Sequence, residues 1–164
     1  MQGKEIVRAG YEQVADAYLA TRTEDGADAA QLREFAAHLP ERARVLDAGC
    51  GSGVPAARYL HDTCGFEVTG VDFAAAQLDL ARGLVPGARF VQADMTTLAP
   101  PEFPDEAFDG ICSLYAVIHI PREEHPALLA NFRRMLRPGG LLLLTMGFNE
   151  CDDDIDDFLG APMY

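Results

Sequence analysis

"RVLDAGCGSGVPAARYL", residues 44–60, decides the fold. A short apolar run ends in Asp47, and Gly49, Gly51 and Gly53 follow within a few positions. Glycine serves where a backbone turns sharply or approaches something closely. A helical pattern begins at once, with Pro55 suited to its first turn. Strand, glycine loop and helix in that order make a βα turn, whose free helix amides line a crevice.

The rhythm continues downstream. "FEVTGVD" (66–72), "ARFVQAD" (88–94), "FDGICSLYAV" (108–117) and "LLLLTMG" (141–147) read as strands. "AAAQLDLARGL" (74–84) and "REEHPALLANFRRML" (122–136) read as helices, and "RPGG" (137–140) as a turn. Strands apolar on both faces, alternating with helices, imply a doubly wound, mostly parallel sheet covered on both sides. Such a sheet takes ligands beyond the carboxyl ends of its strands.

Upstream, residues 4–22 place Val7, Tyr11, Val14 and Tyr18 three and four apart, which marks one face of a helix. Residues 27–39 repeat the pattern with Leu32, Phe35, Ala36 and Leu39, and Pro40 ends it. The expected division is a helical segment over 1–40, a Rossmann-like core over 41–148, and an acidic tail over 149–164. At 164 residues the chain has the size of one domain.

Composition narrows the function. The formal charge of −13 repels phosphate backbones, so nucleic acid is an unfavourable partner. Apolar runs fall short of the ~20 residues that span a bilayer, and the N-terminus lacks an apolar signal block, which points to a cytoplasmic protein. Cys50, Cys64, Cys112 and Cys151 form no CxxC pair, so reduced thiols are expected rather than zinc or disulfides. The run "ECDDDIDD" (150–157) lacks the glycine and closing glutamate of a calcium loop and reads as a solvated acidic face, with no metal expected.

The glycine loop carries the chemistry. Its G-x-G-x-G differs from the dinucleotide G-x-G-x-x-G, because Val54 stands where the third glycine would be. Asp47 stands two residues before the first glycine, and a pyrophosphate brought here would meet that charge. A ligand with a nucleoside and a cation is favoured, and S-adenosylmethionine has both. "VLDAGCGSG" resembles the first motif of the class I S-adenosylmethionine-dependent methyltransferases. Within them the chain is similar to the small-molecule enzymes of ubiquinone and menaquinone biosynthesis, from about Tyr11 to Gly147.

The resemblance implies roles. Asp47, Ala48, Gly49, Cys50, Gly51 and Gly53 would form the cofactor loop. Asp72, about twenty residues on, would accept the ribose hydroxyls, or would cap the next helix, where "FAAA" supplies no Ser or Thr. Phe73 would lie beside the adenine or in the core. Asp94 would accept the adenine amino group and Met95 would offer its amide. Ser113 and Leu114 would pass beneath the methionine moiety, and residues 116–119 would face the acceptor. His119 is a candidate general base, since imidazole titrates near neutrality, or a packed cap. Tyr11 would touch the methionine carboxylate from a lid helix, with Tyr18 and Arg22 as lesser candidates, or both tyrosines are core. His38, His61 and His125 read as surface.

The expected activity is in-line methyl transfer to an O, N or C nucleophile of a small molecule. Two competitors stand beside it: an NAD(P)-dependent Rossmann oxidoreductase or epimerase, and a non-catalytic cofactor-binding module. Relatives continue past the fifth strand into a helix and an antiparallel hairpin, so this chain reads as a fragment without that hairpin. A sheet ordered 3-2-1-4-5 then leaves residues 141–146 as an apolar edge, free of Pro, Lys and bulge, for a second copy or the acidic tail to cover.

Overall fold

The computed structural model describes residues 2–23, 25–26, 28–146 and 155–163. Helix α1 (Gln2–Thr21) and helix α2 (Ala29–Ala37) precede β1 (Arg44–Ala48). The crossover from β1 begins as α3 (Ala56–Arg58) and widens into a π-type turn over Tyr59–Thr63. It returns to β2 (Glu67–Asp72), which α4 (Ala75–Leu84) connects to β3 (Arg89–Gln92). Then come β4 (Phe108–Ser113), α5 (His125–Met135) and β5 (Leu136–Leu144).

The five strands are parallel and ordered β3-β2-β1-β4-β5. Register places Asp47 beside Gly70 and Cys112, and Asp72 beside Gln92. The carboxyl ends of the strands therefore share one edge of the sheet, where the functional side chains collect.

Both sheet faces are covered, as the apolar strands require. On one face, Leu46, Val71 and Ile111 pack with Phe132 and Met135 of α5. On the other, Val45, Val68 and Cys112 pack with Leu32 and Phe35 of α2 and with Leu60. Gly53 takes φ +80°, a left-handed conformation that favours glycine, and sits in ordinary contact distance of Ala81, Val85 and Phe90.

Four boundaries differ from the sequence reading. The strand read over 108–117 ends at Ser113, and Val117–His119 forms a 3-10 turn at the site. The helical pattern read directly after the glycine loop is α-helical for one turn only before it widens. The "RPGG" turn is absorbed into β5, whose pairing slips between Phe108 and Gly110, so an irregularity does stand just upstream of Leu141. The sheet gains no strand beyond β5 among the described residues, yet the tail is not featureless. β6 (Ile155–Phe158) and β7 (Ala161–Met163) form an antiparallel ladder of their own.

That ladder packs on α1 rather than on the β5 edge. Met163 and Ala161 are buried with Val7 and Val14, and Gly10 lets Met163 sit against the helix. The expectation that the tail shields β5 is not met by residues 155–163. Most of the acidic run, 150–154, lies outside the described residues. No helix among the described residues is long and apolar enough to cross a membrane.

Candidate cofactor and active site

A cleft with about 610 Å³ of open space lies at the carboxyl ends of β1, β2 and β4, beneath α1. Tyr11, Gly49, Gly51, Asp72, Phe73, Asp94, Met95, Leu114 and His119 line it. A smaller pocket of about 340 Å³ continues along the glycine loop, lined by Tyr18, Arg22, Asp47, Cys50, Gly51 and Ser52. Together they hold most of the residues singled out in the sequence. Ala48, Gly53 and Ser113 are not among the lining residues. Gly53 serves packing, and the buried Ser113 hydroxyl donates to the Ala48 carbonyl at 2.6 Å.

The glycine loop needs its first glycine. Gly49 has φ +78°, and a Cβ there would lie 2.3 Å from Ala116 Cβ and 3.0 Å from Met95 Cε. Any side chain would close the cleft where Gly49 lines it.

Asp47 is 2% exposed, and its Oδ2 has no hydrogen-bond partner among the described residues. Its Oδ1 faces the Cys112 thiol at 3.7 Å. Burial, with the Asp72 charge added, pushes its pKa up to about 7. A buried carboxylate without a cation is costly, so this position is suited to one.

Asp72 uses one oxygen to accept the Gly51 amide and the other to accept the Ala74 amide, each at 2.9 Å. It thus ties the glycine loop to the start of α4. Each oxygen keeps acceptor capacity toward the cleft. Burial raises its pKa despite those amides.

Asp94 caps the turn that follows β3. Its Oδ1 accepts the Thr96 amide and hydroxyl, both at 2.8 Å, and its Oδ2 faces Lys4 Nζ at 3.3 Å. Desolvation pushes its pKa upward, but the Thr96 donors and the Lys4 charge outweigh that, so the carboxyl is held below its usual value.

Helix α1 closes the cleft from above. The Tyr11 hydroxyl lies 3.1 Å from His119 Nε2. Burial pushes the Tyr11 phenol well up, so it stays protonated. Tyr11 and Tyr18 meet edge to face at 5.2 Å, and Phe158 of β6 meets Tyr11 edge-on at 6.2 Å and Tyr18 at a tilt at 6.0 Å. Arg22 lies over the rings of Tyr18 and Tyr115, at 5.6 Å and 5.1 Å, and 3.7 Å from Asp28. His125, read as surface, is half-buried and bonds the Ile120 carbonyl.

Three polar residues escaped the sequence reading. Lys4 joins Asp94, Thr96 and Glu124. Glu12 caps α4, accepting the Ala75 amide at 2.7 Å and the Ala76 amide at 2.9 Å. The capless "FAAA" was the signal that some distant group must do this. Gln77, on the inner face of α4, reaches the cleft wall.

The fold is that of a class I S-adenosylmethionine-dependent methyltransferase. Residues 45–140, more than half of the chain, match the methyltransferase domain family, and the chain belongs to it. It is 35% identical over 118 residues to the 2-methyl-6-phytyl-1,4-hydroquinone methyltransferase of Synechocystis, covering 70% of this chain and 35% of that protein. It is 36% identical over 126 residues to the trans-aconitate 2-methyltransferase of Deinococcus radiodurans, covering 75% of this chain and 46% of that protein. Among solved structures, phosphoethanolamine N-methyltransferase 2 of Haemonchus contortus, in complex with S-adenosyl-L-methionine, superposes with a TM-score of 0.64 at 28% identity. That match covers 73% of this chain and 27% of the other. The chain thus spans less than half the length of these relatives.

Proposed function

We propose that this chain binds S-adenosylmethionine across the two pockets and belongs to an enzyme that methylates a small molecule. The observation that carries the reading is Asp47, a buried carboxylate oxygen left without a partner beside the glycine loop. A cationic amino-acid portion suits it, while the pyrophosphate of a nicotinamide dinucleotide would be repelled. Asp72 is then the ribose acceptor, Phe73 and Met95 flank the base, and Asp94 accepts the adenine amino group. Tyr18 and Arg22 border the amino-acid end.

When bound, the cofactor supplies a methyl group already activated on sulfonium, so the protein's task is alignment and exclusion of water. Among the described residues, the lining of the acceptor side, Val7, Tyr11, Tyr115, Ala116, His119 and Ile120, includes no carboxylate, lysine or arginine. This favours a neutral acceptor. A hydroxyl that takes the place of Tyr11 against His119 Nε2 would deliver its proton to that nitrogen. Helix α1 serves as the lid over both pockets. A cytoplasmic location and association through the β5 edge go with this reading.

Calorimetric titration with S-adenosylmethionine and with NAD tests the cofactor, and a labelled-methyl screen of neutral metabolites tests the acceptor. Binding of S-adenosylmethionine but not NAD is expected. Binding of NAD alone would overturn the reading, and cofactor binding without transfer would leave a binding module.

A further inference from the structure

We propose that Phe158 is a positioning residue of the cleft: from the C-terminal ladder it sets Tyr11 and Tyr18, and through Tyr11 the imidazole of His119. The proposal rests on the S-adenosylmethionine reading above. Helix α1 meets both the cleft and the β6–β7 ladder. Val7, Tyr11 and Tyr18 of its apolar stripe line the cleft, while Val7 and Val14 are buried with Ala161 and Met163 of β7. Phe158 reaches the same stripe from β6. It is half-buried, and its ring meets Tyr11 at 6.2 Å and Tyr18 at 6.0 Å. Such pairs favour particular mutual orientations, so the ring restricts where both tyrosines can stand.

The support behind Phe158 is firm. Phe158 pairs with Ala161 across a two-residue turn. Both turn residues are left-handed, Leu159 at φ 54° and Gly160 at φ 97°, as in the tightest hairpins. A left-handed leucine persists only where its surroundings over-determine it. Here the Gly160 amide donates to Asp157 Oδ1 at 2.7 Å, and Gln13 Nε2 of α1 donates to the Gly160 carbonyl at 2.9 Å. Ala161 and Met163, each 1% exposed, anchor the second strand. Leu159 is turned outward, 45% exposed, while Phe158 is turned to the tyrosines.

Each tyrosine passes the constraint to a different part of the site. The Tyr11 hydroxyl lies 3.1 Å from His119 Nε2, with the two rings 5.6 Å apart. Tyr18 also lines the loop pocket, beside Asp47 and Arg22. Without the Phe158 ring both tyrosines regain rotamer freedom. Tyr11 then leaves the imidazole, and Tyr18 leaves the amino-acid end of the cofactor.

The test uses Phe158→Leu, with Val14→Ala as a packing control in the same cluster. The first readout is the His119 ring-nitrogen signal of ligand-free protein by NMR, assigned by its loss in His119→Gln. Tyr11→Phe defines how that signal moves when the hydrogen bond is lost. Phe158→Leu is expected to move it in the same direction, and Val14→Ala to leave it in place. The second readout is calorimetric affinity for S-adenosylhomocysteine, expected to weaken about three- to tenfold in Phe158→Leu. Phe158→Tyr keeps the ring and should retain both wild-type values. Loss of both in a folded Phe158→Tyr protein overturns the proposal even if Phe158→Leu does not fold. A signal unmoved in Phe158→Leu or in Tyr11→Phe overturns it, and so does an equal movement in Val14→Ala, which would make Phe158 packing alone. Unchanged affinity in Phe158→Leu overturns it while the cofactor reading stands. Failure of the wild type to bind S-adenosylhomocysteine overturns the cofactor reading, and this proposal with it.

Discussion

Asp47 sits where four elements meet: Cys112 of β4, Asp72 of β2, the Ala57 amide of α3 and, across the loop pocket, Arg22 after α1. Its folded pKa of about 7 stands above the ordinary 3.8. Folding therefore favours the protonated acid, and the unfolded chain binds fewer protons between those values. Stability should fall as pH rises from about 4 to about 7, by on the order of 4 kcal/mol from this group. Asp47→Asn should flatten that slope in ligand-free thermal melts. Cofactor affinity should move the other way and strengthen through pH 7 as the carboxylate ionises, and a pH series of titrations would show it. Asp72→Ala should weaken S-adenosylmethionine and S-adenosylhomocysteine alike by ~1.5–3 kcal/mol, because both share the ribose. Unchanged affinity in a folded Asp72→Ala protein would remove it from the site. Asp47 and Asp72 were legible because strand ends beside a glycine loop have a fixed place in this sheet. Lys4, Glu12 and Gln77 were not, because their surroundings are assembled by packing between elements distant in sequence. Ser113 was read toward the ligand because strand-end position was legible, while the rotamer that turns its hydroxyl to Ala48 was not.

Helix α1 shows how one element serves both packing and the site. Its apolar stripe of Val7 and Val14 is the part periodicity reveals, and it meets β7. Its polar residues fasten it over the cleft at three points: Lys4 to Asp94, Tyr11 to His119, and Glu12 to the start of α4. Helix α4 has no capping side chain at Ala74, so Glu12 satisfies two of its free amides from outside. Glu12→Ala should cost about 0.5–2 kcal/mol, the range for lost N-caps, read as a lower urea midpoint by circular dichroism. Hydrogen exchange at Ala75 and Ala76 should speed up in the same variant. If those amides stay as protected as before, Glu12 is not their cap in solution. On the function proposed above, the 3-10 turn that carries His119 faces the acceptor, so His119→Ala should leave S-adenosylhomocysteine affinity within about twofold. On an identified hydroxyl acceptor it should lose about 10²-fold or more in turnover. Abolished cofactor binding in a folded His119→Ala protein would misplace that turn.

Across the whole molecule, the parallel sheet and its ligand edge followed from alternating strands and helices, while the order 3-2-1-4-5 came with the resemblance to the methyltransferases. The tail did not follow. Its pairing depends on a partner surface on α1, and Gly10, which makes room for Met163, carries no local signal. The tail's position bears on association. With β6 and β7 against α1, the outer side of β5 has no ladder partner among the described residues. Leu142 is 40% exposed and Met146 is 52% exposed along it. The irregularity at residues 137–140 blunts the beginning of the strand but leaves Leu141–Leu144 regular beside β4. An apolar edge of this kind templates pairing with another chain, and a charge of −13 opposes that pairing at low salt more than at high salt. Light scattering should therefore show association that grows with protein concentration and with ionic strength. Leu142→Lys places a charge on the edge and should return the chain toward monomer without changing cofactor affinity. A wild-type monomer at all salt concentrations, with rapidly exchanging β5 amides, would show that the solvated edge is stable by itself.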